Sequence, residues 1–356
     1  MDIEDLGYDD WFKDQPGPHE SQDLEPARVI SVHKESCVVT NGNWQARGEV
    51  TGKLMFSAES PLDFPTVGDW VLVQFFGEDS PAIIHEILPR KSILKRKTAG
   101  KKIEYQAIAS NIDLAFVIQA LDSDLSISRL ERYMVMIGEG NITPVILLSK
   151  KDLLSESELE EKLNELRRSL PDSDVIPFSS SIDEGLDRIS ELLAHGKTYC
   201  LLGSSGVGKT TLLNKLIGEE VFATREIRES DGKGKHTTTA RQLIMLKNGA
   251  MIIDTPGMRE LGNIGVELGI ESVFHEFADL ESKCKFRDCS HSGEQGCAVL
   301  EAIENGSIAE QRFQNYQKMR SESARNDMSY HEKRIKDKKL GKLIKSIQQQ
   351  RKKDRR

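Results

Sequence analysis

A glycine-rich loop set between a strand and a helix constrains this chain more than any other feature. Residues 203–210 read Gly-Ser-Ser-Gly-Val-Gly-Lys-Thr. The apolar run Tyr199-Cys200-Leu201-Leu202 precedes them, and Leu212, Leu213, Leu216 and Ile217 follow at helical spacing. Strand, loop and helix in that order make a cradle whose backbone N–H groups point at phosphate oxygens. Gly203, Gly206 and Gly208 let the backbone wrap closely, with Ser204, Ser205, Val207 and Thr211 completing the cradle. Lys209 is placed to reach β/γ-phosphates during catalysis, and Thr210 offers a hydroxyl to Mg²⁺.

Two further segments belong with this loop. Asp254-Thr255-Pro256-Gly257 follows the apolar strand Met251-Ile252-Ile253. Asp254 can hold Mg²⁺ through water, and the backbone N–H of Gly257 can sense a γ-phosphate. Between them, residues 232–239 read Gly-Lys-Gly-Lys-His-Thr-Thr-Thr, where Thr238 is the candidate to complete the Mg²⁺ shell in a loop that a γ-phosphate would order. The base-reading segment lies upstream instead of downstream. Ser149-Lys150-Lys151-Asp152 closes the apolar strand Pro144–Leu148, about fifty residues before the phosphate loop. Asp152 can accept two hydrogen bonds from guanine N1 and N2, a donor pair adenine lacks, while the stem of Lys150 lies against the base. Ser149 stands where Asn is usual, and its shorter side chain is expected to lose part of the tether to the phosphate loop. Ser179 and Ser180, at the next strand end, fit backbone support for guanine O6.

Around these motifs the texture changes along the chain. Residues 1–25 carry nine acidic residues against one lysine and include Pro16, Gly17 and Pro18, which predicts a flexible acidic arm. Five short alternating runs over 26–97, separated by turn residues, predict a small closed β-barrel of the oligonucleotide-binding type. Arg90, Lys91, Lys95, Arg96, Lys97, Lys101 and Lys102 follow it and add to a binding role. Strands alternating with helices over 98–266 predict a doubly wound sheet with its ligand along the strand C-termini. Residues 267–330 read as a helical module. Residues 331–356 hold twelve Lys/Arg against three Asp/Glu, with Leu340, Leu343, Ile344 and Ile347 on one helical stripe, predicting a basic helical tail that docks on RNA phosphates. No apolar run approaches the roughly 18–20 residues that span a bilayer, and the acidic N-terminus is unlike a signal peptide. A cytoplasmic, membrane-free monomer is the expectation.

Of five cysteines, Cys37 and Cys200 sit singly in strand-like runs as small hydrophobes. Cys284, Cys289 and Cys297 fall within fourteen residues together with His291. Three thiolates and one imidazole suit a closed tetrahedral structural Zn²⁺ site with no position open for water.

Base motif, its support, phosphate loop, threonine loop and D-x-x-G run in a rotated order that leaves the strand ends of one sheet in place. On these residues the chain resembles the circularly permuted GTPases, and most closely the small-ribosomal-subunit-dependent GTPases of 30S biogenesis. The resemblance implies an oligonucleotide-binding fold, a GTPase core and a zinc-binding domain in that order. It implies GTP hydrolysis with Mg²⁺ on the 30S subunit, contact with 16S rRNA, and release on conversion of GTP to GDP. Ras-like proteins orient the attacking water with Gln just after D-x-x-G; here Met258 stands there, and His236 is the candidate for that role. A nucleotide-gated RNA-binding module with incidental turnover is the alternative. A P-loop kinase or ATPase is disfavoured by Asp152.

Overall fold

Acidic as they are, the first residues are not a free arm. The computed structural model describes residues 1–15, 23–33, 36–77, 80–97, 104–122, 125–219, 241–254 and 267–327. Within 1–15 a 3₁₀ turn (Ile3–Leu6) and the one-turn helix α1 (Asp10–Lys13) bury Leu6, Tyr8 and Phe12. Tyr8 and Phe12 stack with each other and pack against Trp70, with Tyr8 4.8 Å and Phe12 5.9 Å from its ring. The expectation of a flexible segment is corrected for these fifteen residues: three apolar side chains outweigh the charge, because they share one buried patch.

The barrel is closed. β1 (Glu25–Val32), β2 (Cys37–Thr40), β3 (Gln45–Val50), β4 (Trp70–Gln74) and β5 (Ala82–Ile87) pair in the ring order β1-β2-β3-β5-β4-β1, with the helix α2 (Gly52–Ser57) after β3. Alternation along each strand puts Ala27, Val29, Val39, Val71, Val73 and Ile84 in its core. A hairpin, β6 (Ile93–Lys97) with β7 (Tyr105–Ser110), follows where the sequence suggested only a basic run. Three of the seven cations in that run are spoken for. Arg90 forks onto buried Asp69 at 2.7 Å for each bond, Lys91 pairs with Asp9, and Lys95 lies 3.4 Å from Glu139. These three cations hold the fold together.

The central sheet is built from β8 (Leu114–Ala120), α3 (Ile127–Glu139), β9 (Thr143–Ser149), α4 (Glu156–Ser169), β10 (Val175–Pro177), α5 (Leu186–Glu191), β11 (Thr198–Leu202), α6 (Lys209–Ile217), β12 (Arg241–Met245) and β13 (Met251–Asp254). Strand order is β10-β9-β8-β11-β13-β12, parallel except for β12, which pairs antiparallel with β13 and passes the sheet on to barrel strand β1. Near-continuous apolar runs such as Leu114–Ala120 form central parallel strands because both faces are covered. On one face Leu130, Tyr133 and Ile137 of α3 meet Val117, Cys200 and Ile253. On the other, Leu212 and Leu213 of α6 meet Phe116, Leu201 and Ile252.

The C-terminal module contains α7 (Glu267–Val273), α8 (His275–Glu281), α9 (Ala298–Glu304) and α10 (Glu310–Asp327). Its core of Ile270, Phe274, Phe277, Phe313 and Tyr316 also takes in Val135 from α3. α7 rides close on α3: a Cβ at Gly269 would come within 2.0 Å of the Val135 carbonyl oxygen. Among the described residues no helix is long and apolar enough to cross a membrane. The threonine loop, Gly257, Met258 and the basic tail lie outside the described residues.

Candidate active site

Parallel pairing brings the motif loops to one edge. β9, β8, β11 and β13 run side by side in the same direction, so Ser149, Ala120, Leu202 and Asp254 end together. The rotated order is thereby undone in space: the base motif lies two strands from the phosphate loop on one side, and Asp254 one strand away on the other.

The phosphate loop is shaped by its glycines. Gly203, Gly206 and Gly208 have φ of 149°, 83° and 95°. A Cβ at Gly203 would meet the Ile118 carbonyl oxygen at 2.3 Å, so this position must be glycine for β11 and β8 to stay paired. Ser204 is half-buried, Ser205 and Gly206 are exposed, and Val207 turns its side chain into the core. Lys209 donates to the Gly203 and Ser204 carbonyls, both at 2.6 Å. Phosphate oxygens are stronger acceptors that can take over that ammonium. Thr210 is exposed and Thr211 half-buried on the first turn of α6. Asp254 is half-buried; desolvation pushes its carboxyl up, and the Lys209 charge pulls it partly back. A desolvated carboxylate closing the apolar strand β13, within reach of the Lys209 charge, is a donor suited to a hard cation such as Mg²⁺.

At the other side Asp152 sits on a 3₁₀ turn (Lys151–Leu153) entered through Lys150, whose φ of +60° is uncommon for a side-chain-bearing residue. Ser179 donates to the Asp152 carboxylate at 2.5 Å, and that hydrogen bond chiefly holds its pKa below the usual carboxylate range. The carboxylate is therefore an ionised acceptor, aimed and exposed. Ser179 serves Asp152 through its side chain, beyond the backbone support expected of it, and Ser180 is half-buried beside it. Lys150 extends to Asp122, Nζ to Oδ2 at 2.8 Å.

Ser149 corrects the sequence reading. Its hydroxyl donates to the Val207 carbonyl at 2.7 Å. The short side chain keeps the tether between base motif and phosphate loop because that carbonyl comes to meet it. Sequence reasoning also missed four residues. Gln119 is fully buried and pins the start of α3 through Ser126, Ser181 backs Ser179 at 2.8 Å, and Asp122 receives Lys150. Arg129 reaches Ser204 at 3.2 Å. Only the third serine of Ser179–Ser181 carried a signal. A cavity of about 290 Å³ lined by Tyr8, Arg28, Trp70, Asp113 and Thr198 lies at the opposite, N-terminal edge of the sheet, away from this chemistry.

The ligating atoms of Cys284, Cys289, His291 and Cys297 all lie within 4.8 Å of one another. The Cys284 and Cys297 sulfurs are 4.0 Å apart, near the edge of about 3.8 Å that a tetrahedron of 2.3 Å Zn–S bonds has. His291 turns Nδ1 to the thiols, 3.2 Å from Cys297 Sγ, and Nε2 to Glu281 at 3.3 Å. That carboxylate holds the proton on Nε2 and leaves the Nδ1 lone pair for a metal; Tyr316 and Arg320 in turn fix Glu281, each at 2.8 Å. The cluster can hold a metal ion.

The family model described as RsgA GTPase matches residues 87–264, from the last strand of the barrel through the D-x-x-G segment. This chain belongs to the RsgA GTPase family. The protein named Small ribosomal subunit biogenesis GTPase RsgA 2 from Lactiplantibacillus plantarum is 42% identical over 295 residues, covering 83% of this chain and 82% of its own. The one so named from Vibrio parahaemolyticus is 37% identical over 347 residues, 97% and 92% of the two chains. Among solved structures, YjeQ from Thermotoga maritima matches with a TM-score of 0.61 at 27% identity, covering 83% of this chain and 97% of that one. YloQ, described as a circularly permuted GTPase, matches with a TM-score of 0.59 at 23% identity over 85% and 96%, a likeness of fold. Like the RsgA family, this chain is a circularly permuted GTPase with a closed N-terminal barrel and a C-terminal Cys/His module.

Proposed function

We propose that this GTPase acts in late maturation of the small (30S) ribosomal subunit in the cytoplasm. It binds 16S rRNA as a monomer, hydrolyses GTP faster on the subunit than alone, and leaves when GTP becomes GDP. What carries this function is the likeness, over 97% of the chain, to a relative named for small-subunit biogenesis. The domain plan supports it: barrel 26–97, permuted core 98–266, metal module 267–330 and basic tail 331–356. Lys285, Phe286 and Arg287 lie between two of the metal ligands, with Phe286 46% exposed, and Phe56 on α2 is 95% exposed. Cations interleaved with exposed aromatics suit single-stranded RNA, whose bases stack on rings.

In the nucleotide site Asp152 accepts the guanine N1 and N2 hydrogens, Lys150 lies along the base and Ser179–Ser180 support O6. Residues 203–211 wrap the phosphates, with Lys209 at the β/γ oxygens. Thr210, Thr238 and Asp254 would hold Mg²⁺, which supplies charge neutralisation on the phosphates. Gly257 reads the γ-phosphate through its N–H, and His236 orients the water in place of the usual Gln. Cys284, Cys289, His291 and Cys297 would hold a single structural zinc, which would supply folding energy to the module and no catalysis. GTP turnover with purified 30S subunits, repeated with 50S subunits, tests the proposal. A rise of about tenfold or more with 30S alone is expected of a partner-stimulated GTPase. No rise, or an equal rise with 50S, would rule it out.

A further inference from the structure

We propose that Arg129 is a catalytic arginine supplied in cis, placing its guanidinium against the γ-phosphoryl group during hydrolysis. This rests on the phosphate loop being the GTP site. Arg129 lies in the first turn of α3, at the same sheet edge as the motif loops, and its side chain is half-buried. Its Nη1 donates to the Ser204 hydroxyl at 3.2 Å, while Lys209 Nζ donates to the Ser204 carbonyl at 2.6 Å. Two cations thus meet on two atoms of one phosphate-loop residue. Arg129 thus touches the same loop as the ammonium that serves the β/γ-phosphates, and in the proposal rotation of its side chain off Ser204 carries the guanidinium to the transferring group.

The backbone beneath it is held at both ends. Ser126, the N-cap of α3, is bonded through its N–H to Gln119 at 2.8 Å. Further along the helix, Glu131 is bonded by Arg312 at 3.0 Å and Arg132 forks onto Glu322 at 2.6 and 2.9 Å. In the reaction the water oxygen bonds to the γ-phosphorus as the bond to the β–γ bridging oxygen breaks. The electron pair leaves on GDP, and the water proton passes to the released phosphate. Charge spreads over several oxygens at once, which a planar five-donor fork meets more fully than a lysine point charge. Met258, standing where Ras-like proteins carry the water-orienting Gln, leaves the site short of one catalytic part. Arg129 addresses the charge, a part separate from orienting the water.

Single-turnover hydrolysis by the full chain, wild type against Arg129→Ala, Arg129→Gln and Arg129→Lys, tests this, with GDP affinity measured on the same samples. The Ala and Gln variants are expected to lose about tenfold or more in rate, and Lys to recover part of it. GDP affinity should stay within about twofold throughout, since GDP lacks the group Arg129 serves. Binding of GDP with aluminium fluoride, a mimic of the transferring phosphoryl group, should weaken in Ala and Gln. Gln keeps a donor for Ser204, so a Gln variant at wild-type rate would overturn the proposal in favour of a scaffolding hydrogen bond. Equal losses of rate and GDP affinity in Ala would overturn it too. A wild-type protein without GTP turnover would overturn both this and the assignment of the phosphate loop.

Discussion

Where the barrel meets the GTPase core, the connection is a continuous sheet and a buried guanidinium; where the helical module meets it, the connection is a helix interface around a buried carboxylate. On the barrel side β1 pairs with β12 at Ser31–Gln242 and Val32–Arg241. Arg28, 1% exposed, donates to the Leu6 carbonyl, to Thr198 Oγ1 at 2.8 Å and to the Asn111 carbonyl at 3.3 Å. Its acceptors are neutral, and among the described residues no carboxylate pairs with it. Burial lowers its pKa to about 10, which still leaves it charged near neutrality. On the module side Glu131, fully buried, accepts from Arg312 at 3.0 Å and Asn315 at 2.7 Å. Burial pushes its carboxyl up to about 7 against the pull of Arg312. Arg28 keeps its charge across neutrality, whereas Glu131 titrates close to it, on the same helix that sends Arg129 to the phosphate loop.

The largest expected effect is at the module. Arg312 also donates to Glu276 and to the Ser169 and Val273 carbonyls, so Arg312→Ala strands two acids and two acceptors. Chemical denaturation should register a loss of about 3–5 kcal/mol at pH 8. A loss under about 1 kcal/mol would remove the contrast between the junctions. Arg28→Ala should follow at about 2–4 kcal/mol, because three acceptors lose their donor. That loss should be the same at pH 6 and pH 8; a marked difference would mean that the barrel junction titrates as well.

Glu131→Gln sharpens the comparison with the smallest effect. Its carboxyl is raised from an unfolded value of 4.5 to about 7, so the folded protein holds the proton more tightly. The stability this contributes is fully present below 4.5 and is lost as pH rises through about 7, a change of at most about 3 kcal/mol. Gln cannot titrate, so its melting temperature should lack that part of the wild-type slope while stability at pH 8 stays within about 1 kcal/mol. A slope identical to wild type would show that another group titrates.

The site was legible where a backbone conformation or a charge dictates residue type. Gly203 and Gly208 announce their positive φ, Lys209 and Asp152 their charges, and the Cys284–Cys297 cluster its donor set. What was hidden depends on who approaches from elsewhere in the fold. Ser149 looked too short until the Val207 carbonyl was found beside it. Arg90, Lys91 and Lys95 read as a basic patch, yet Asp69, Asp9 and Glu139 come from distant segments to pair with them. The arm read as flexible because averaged charge outweighs three apolar residues in a count, though not in a packed core. Arg28 gave no hint of burial at all, since nothing local sets it apart from a surface arginine.

Asp152 and Lys209 meeting at one guanine nucleotide is the claim on which the rest depends, and Asp152→Asn tests it most directly. Asparagine presents an amide where guanine N1 and N2 need a carboxylate, and suits xanthine, which carries a carbonyl in place of the exocyclic amine. Titrations of both nucleotides into the wild-type and variant proteins should give a loss of GTP affinity of about 100-fold or more and a gain for xanthosine triphosphate. GTP affinity unchanged in the variant would contradict a base pocket at Asp152.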